Sequence, residues 1–104
     1  MSRFILSPGA GDDLVDLAEY LRGLPAVPAR RIGKALQFAL KNLAQHPGHG
    51  HRHADYCEFS GEEIRSFVVG DYVLLYASQR KPITFVGVIH GKRDIDAIMR
   101  QRLG

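Results

Sequence analysis

The sequence predicts an α+β domain: an N-terminal strand and an antiparallel helical hairpin pack on a four-stranded, mostly antiparallel sheet, closed by a short C-terminal helix. Three observations carry this expectation. Residues 64–90 hold three apolar runs in succession, IRSFVV, YVLLYA and ITFVGVI, with only tight turns between them. Residues 8–46 hold two stretches whose apolar residues recur at helical spacing. Their link is only about five residues, short enough to force an antiparallel hairpin. Ahead of both, Arg3-Phe4-Ile5-Leu6 is a short strand-like run that stops at Ser7-Pro8.

Each element has a local reason. Ser7 followed by Pro8 reads as an N-cap with proline at the first helical position. Asp12 and Asp13 fall in the first turns, where the helix dipole favours anions, and Leu14, Leu17, Ala18 and Leu21 form one stripe. Residues 23–28 break that helix, and a second one is expected from near Pro28 to about His46. Ile32, Ala35, Leu36, Ala39 and Leu43 make its inner face, with Arg31, Lys34, Lys41 and Gln45 turned away. Gly33 costs roughly 1 kcal/mol against alanine, and Pro47-Gly48 ends the helix. A polar connection, 46–62, leads to the sheet. Gly70-Asp71 is a two-residue hairpin turn of the glycine-first kind, and Arg80-Lys81-Pro82 closes a longer loop. The last strand ends abruptly in Gly91-Lys92-Arg93-Asp94, a cationic rim on a rigid edge. Asp94 is placed to cap a final helix near Ile95 to Gln101 that presents Ile95, Ile98 and Met99.

The runs VVGDYVLLYA and ITFVGVI are apolar at nearly every position, the pattern of strands buried on both faces. A helical hairpin covers only one. The other face requires the C-terminal segment, a second copy or another protein, and another protein is the expectation, because large exposed apolar patches mark interaction sites.

With 104 residues the chain fits one domain, 1–104, with a single modest core. No signal-peptide h-region is present, and no stretch approaches the roughly 18 apolar residues of a membrane span, so a cytoplasmic protein without a membrane partner is expected. The single cysteine, Cys57, excludes an internal disulfide. The net charge of +3 permits an acidic partner without naming one. Arg30, Arg31 and Lys34 form one basic group, and Lys92, Arg93, Arg100 and Arg102 another; taken alone, both read as solvated faces.

Few residues suggest chemistry. His46, His49, His51 and His53 crowd the connection, with Asp55 and Cys57 beyond. His51 and His53 alternate on an extended segment, yet the spacing is not that of a structural zinc site, so no metal is expected. His90 is suited to general acid or base work by its titration range, but a strand-end histidine hydrogen-bonded to backbone is the expectation. Arg65, inside an apolar strand, must find a carboxylate, a set of carbonyls or a phosphate. There is no glycine-rich phosphate loop, paired-cysteine motif or nucleophile elbow, so no cofactor is expected.

FILSP at 4–8 leading into DDL at 12–14, LAQHPGHGHR at 43–52 with Asp55, IRSFVVGDYVLLY at 64–76 and VIHGKRD at 88–94 together resemble the RelE/ParE superfamily of type II toxins. The resemblance implies a small bacterial toxin, of the plasmid-stabilising kind, neutralised by a cognate antitoxin that is ParD-like or related. RelE-like members cut mRNA on the ribosome, and ParE-like members poison DNA gyrase. The nuclease branch typically uses lysines after helix 2, arginines on the sheet and a tyrosine in the C-terminal helix. Arg65 and Arg93 match the arginines. His51-Arg52-His53 occupies the lysine region, however, and the tyrosine position falls at about Met99. VGDYVLLY, IHGKRD and GHRHAD look like the ParE branch, which implies action on gyrase by binding without bond cleavage. Under that reading the partner surface is Lys92, Arg93, Asp94, Ile95, Ile98 and Met99, and no residue is catalytic. The alternative is a metal-independent mRNA endonuclease using Arg65, Arg93, His51, His53 and His90; a further one is a non-toxic binding module.

Overall fold

The computed structural model describes residues 3–104. Its elements run β1 (Phe4–Leu6), α1 (Pro8–Arg22), α2 (Ala26–Gln45), a single 3-10 turn (Pro47–His49), β2 (His51–Arg52), α3 (Ala54–Ser60), β3 (Ile64–Val69), β4 (Tyr72–Ala77), β5 (Ile83–His90) and α4 (Ile95–Leu103). The strands are ordered β1-β5-β4-β3-β2. β1 lies parallel to β5, and all other neighbours are antiparallel. The architecture is the expected α+β one, with five strands in place of four. The extra strand, β2, comes from the polar connection, where His51 pairs with Ser66 and Arg52 with Arg65. Two residues with polar side chains give no apolar alternation, so only the free edge of β3 reveals them.

Local signals set the helix starts. The Ser7 hydroxyl accepts a 3.2 Å hydrogen bond from the Ala10 N–H, as an N-cap should. α2 begins at Ala26, two residues earlier than expected, with Pro28 inside its first turn. The first-turn N–H groups have no intrahelical acceptor, so a proline there removes no bond. Between β3 and β4 the register closes from Val69 to Tyr72 around Gly70-Asp71. Gly70 has φ +57°, a left-handed conformation that glycine adopts at little cost.

The hairpin covers one face of the sheet. Leu17, Leu36, Leu40 and Leu43 pack there against Leu74, Tyr76, Phe85 and Val88. Leu40 is buried where Ala35 was expected, and Ala35 is exposed. The opposite face corrects a larger expectation, because the chain covers it with its own residues and not with another protein. Tyr56 from α3 and Met99 from α4 are buried against Ile64, Leu75, Val86 and Ile89. α3 leaves little periodic signal in the sequence, because it is seven residues long and buries only Tyr56.

A bulge in β5 joins the two cores. Leu75 pairs with Gly87 and Tyr76 with Phe85, leaving Val86 unmatched. Phe85 and Val88, three positions apart, therefore both face the hairpin, while Val86 and Ile89 face α4. β1 stops opposite Phe85, and Asp13 of α1 takes over beyond it: its carboxylate accepts from the Val88 N–H at 2.9 Å. Arg102 of α4 reaches the same carboxylate through both terminal nitrogens, at 2.7 and 2.8 Å, and donates to the Val86 carbonyl at 2.9 Å. Glycines open its path: a Cβ on Gly9 would lie 2.9 Å from Arg102 Nε, and one on Gly87 3.4 Å from Nη1.

Asp13 is 7% exposed. Arg102→Ala should therefore strand a buried carboxylate and cost about 3 kcal/mol, read as a lower urea midpoint. Arg102→Lys should recover only part of this, since one ammonium cannot reproduce the bidentate fork. A loss below about 1 kcal/mol for the alanine variant would show the pair to be dispensable.

Candidate functional site

The cationic rim is held by its own backbone. Gly91 N–H donates to the Asp71 carbonyl at 2.7 Å, Arg93 N–H to the His90 carbonyl at 3.0 Å, and Ile95 N–H to the Arg93 carbonyl at 2.9 Å. The Lys92 N–H donates to His90 Nδ1 at 3.1 Å, so the neutral ring carries its hydrogen on Nε2. The same ring packs edge-on against Tyr72, with 5.2 Å between centroids. Asp94 caps α4, its carboxylate accepting from the Ala97 N–H at 3.1 Å. Lys92 and Arg93 are exposed, and neither makes an ion pair among the described residues. A small cleft between α1 and the end of β5 is lined by Asp16, Tyr20, Tyr72, His90 and Arg93.

Arg65 finds protein partners. Its Nε donates to Glu63 at 2.7 Å, and Nη1 donates to the carbonyls of Gly50 at 2.7 Å and Gly48 at 3.2 Å. Ser78 and Arg65 together hold the Glu63 carboxyl below its ordinary range, the Ser78 hydrogen bond contributing most. The buried Tyr76 hydroxyl holds the same connection: it donates to the Pro47 carbonyl at 2.7 Å and accepts from the Gly50 N–H at 2.9 Å. A Cβ on Gly50 would lie 2.5 Å from that hydroxyl, so position 50 has room only for glycine. Arg65 is thus a fastener for residues 47–50, with its guanidinium committed inside the fold.

The histidines do not converge. His46 and His49 lie side by side with centroids 5.3 Å apart, and Asn42 Nδ2 is 3.4 Å from His49 Nδ1. His51 is exposed and meets His53 edge-on at 5.0 Å. His53 Nε2 is 2.6 Å from the Ser66 hydroxyl, and its ring packs on Tyr56 at 5.4 Å. Burial, and then the neighbouring His51, push the His53 pKa below 6.5. Among the described residues no group of three or more His, Cys, Asp or Glu side chains could hold a metal ion.

The residues required by a nuclease fall into two groups. Arg65 pairs with Tyr76 near one end of β4, whereas His90 pairs with Tyr72 at the other, and Arg93 follows His90. Four residues of strand separate the two ends by roughly 13 Å. His51 and His53 lie with Arg65, far from His90 and Arg93. Met99, expected on the partner-facing surface, is fully buried in the second core and reaches no partner; helical spacing alone does not tell the inward side of a short helix. Ile95 and Ile98 are half-buried against that core. Arg100, grouped with the free cations, is paired with Asp55 and Asp96 and stacks over Tyr56 and Phe59. Tyr56 donates to Asp96 at 3.0 Å, and burial with that bond raises its pKa to about 12.

Two structural centres lay outside the sequence reading. Asp13 stands on the apolar side of α1, between Ala10 and Leu17 at spacings of three and four, which is the signal of a buried carboxylate. The Gly50–Tyr76 contact left only the glycines at 48 and 50 as a trace.

The fold and rim define a small α+β protein that holds two exposed cations beyond the end of β5, away from Arg65 and the histidines at 51 and 53. Residues 4–95 match the family model described as the ParE toxin of type II toxin-antitoxin systems, parDE. The chain belongs to this family, within the RelE/ParE superfamily, which makes it a type II toxin and implies an antitoxin partner. Comparison with curated proteins returns no match. No helix among the described residues is long and apolar enough to cross a membrane.

His53 supplies a pH test. Its folded pKa lies below the unfolded value of 6.5, so the unfolded chain binds the proton first, and stability present above that value is lost as pH falls toward the folded pKa. Denaturation midpoints measured across this window should fall for the wild type and vary less for His53→Gln. Equal slopes for the two would remove His53 as the cause.

Proposed function

We propose that this ParE-family toxin acts in the cytoplasm by binding DNA gyrase, without cleaving a bond, and is neutralised by its cognate antitoxin. The proposed partner surface is the rim Lys92, Arg93 and Asp94 with the outward parts of Ile95 and Ile98. The observation that carries this reading is that Lys92 and Arg93 are exposed, make no ion pair among the described residues, and sit on a turn fixed by four backbone N–H donors, those of Gly91, Lys92, Arg93 and Ile95. A turn whose backbone is already fixed has little backbone freedom left to lose on binding, and unpaired cations keep their charge for the partner. Family membership supports the toxin class and the antitoxin. The separation of Arg65 from Arg93 supports a binding action, because cleavage needs base, acid and charge-stabilising groups around one phosphate.

Inducing the protein in bacteria and following replication and transcripts tests the target. Filamentation, an SOS response and gyrase-linked DNA breaks are expected, with transcripts intact. Early mRNA cleavage with continuing replication would overturn the gyrase reading. Arg93→Ala should reduce toxicity about tenfold, the scale of an interface hot spot. Its thermal midpoint should stay near wild type, as for other exposed substitutions. Unchanged toxicity would remove position 93 from the surface, and an unfolded circular-dichroism spectrum would make it structural.

A further inference from the structure

The net charge conceals a segregation along the chain. Between Glu19 and Asp55 there is no Asp or Glu, while Arg22, Arg30, Arg31, Lys34, Lys41 and Arg52 all lie there. That stretch carries six positive charges, and the remainder, with eight cations against eleven anions, is net negative. Four of the six are on α2, and none of those four enters an ion pair among the described residues.

Their placement is regular. Val27, Arg31, Lys34, Phe38 and Lys41 follow one another at spacings of four, three, four and three, so they share one face of the helix. That face is opposite the buried one, which is made by Leu36, Ala39, Leu40 and Leu43. Phe38 is 73% exposed and Val27 59%. A phenylalanine at the centre of an outward helical face, surrounded by unpaired cations, contributes nothing to this protein's own core.

We propose that the outward face of α2 docks an acidic protein surface, with Phe38 and Val27 as apolar anchors and Arg31, Lys34 and Lys41 as their cationic flank. Charge complementarity selects the occupant. A second copy docked symmetrically, α2 against α2, would bring like charges together. An interfacial membrane helix needs a whole apolar face, and here that face is spent on the core. Phosphate backbones would satisfy the cations, but Val27 has no flat surface on which a base could stack. An apolar centre with a charged surround matches a protein interface, and the two anchors, about 16 Å apart along the helix axis, span three turns of a partner helix. The face is on the hairpin side of the sheet, away from α4. The proposal does not depend on gyrase being the target.

The test uses a labelled synthetic amphipathic helix bearing leucine anchors flanked by glutamates, titrated with the full chain. Anisotropy should show binding that weakens with salt, and amide shifts in NMR should concentrate on α2. Phe38→Ala should weaken binding about tenfold and Lys34→Glu more, with circular dichroism unchanged, since both side chains project into solvent. Absence of binding, shifts centred elsewhere, or indifference to Phe38→Ala in a folded variant would each overturn the proposal. So would tighter binding of single-stranded DNA or of phosphatidylserine vesicles through the same residues.

Discussion

The Asp13–Arg102 pair ties three elements at one point. Asp13 comes from α1, Arg102 from the last turn of α4, and both bond the backbone of β5 beyond the end of β1. A buried carboxylate is costly unless its oxygens are used, and here both oxygens are. α4, nine residues long, is too short to be stable alone in water. Its position comes from the Asp94 cap, Met99 in the second core and Arg102 at its end. The rim at 91–94 lies between β5 and α4, held by its own backbone bonds to Asp71 and His90, and the clamp fixes the far end of the helix that follows it.

The same residue type does two kinds of work. Arg65, Arg80, Arg100 and Arg102 are spent on carboxylates or carbonyls of the fold. Arg30, Arg31, Lys34, Lys41, Lys92 and Arg93 make no such pair among the described residues. The structural group holds loops and helices against the sheet, and the free group keeps its charge at the surface. Because these six cations sit in two separate places, α2 and the rim, the small net charge understates the local fields.

The elements readable in advance were those decided by neighbours in sequence. Ser7-Pro8 started α1, Gly70-Asp71 turned the β3–β4 hairpin, and Asp94 capped α4, because each acts on backbone groups within a few residues. What failed was decided at a distance. β2 exists only because β3 offers an edge, and α3 because Tyr56 finds a pocket under Arg100. The bulge at Val86 shifted the inward face of β5 without changing its composition. The candidate site divided likewise: the rim was visible as a polar tetrad after an apolar run, whereas the inward turn of Met99 and the commitment of Arg65 were not.

By itself, then, the sequence determined the order of the longer elements, the turns, the caps and the family likeness, since these rest on local backbone chemistry and on motifs read in line. Only the tertiary structure decided which charges are free. Asp13 and Arg102 are 89 positions apart, and Arg65 and Gly50 are 15. Such pairings depend on how the sheet and its two helical layers close on one another, and closure, unlike a cap or a turn, is not decided by neighbouring residues.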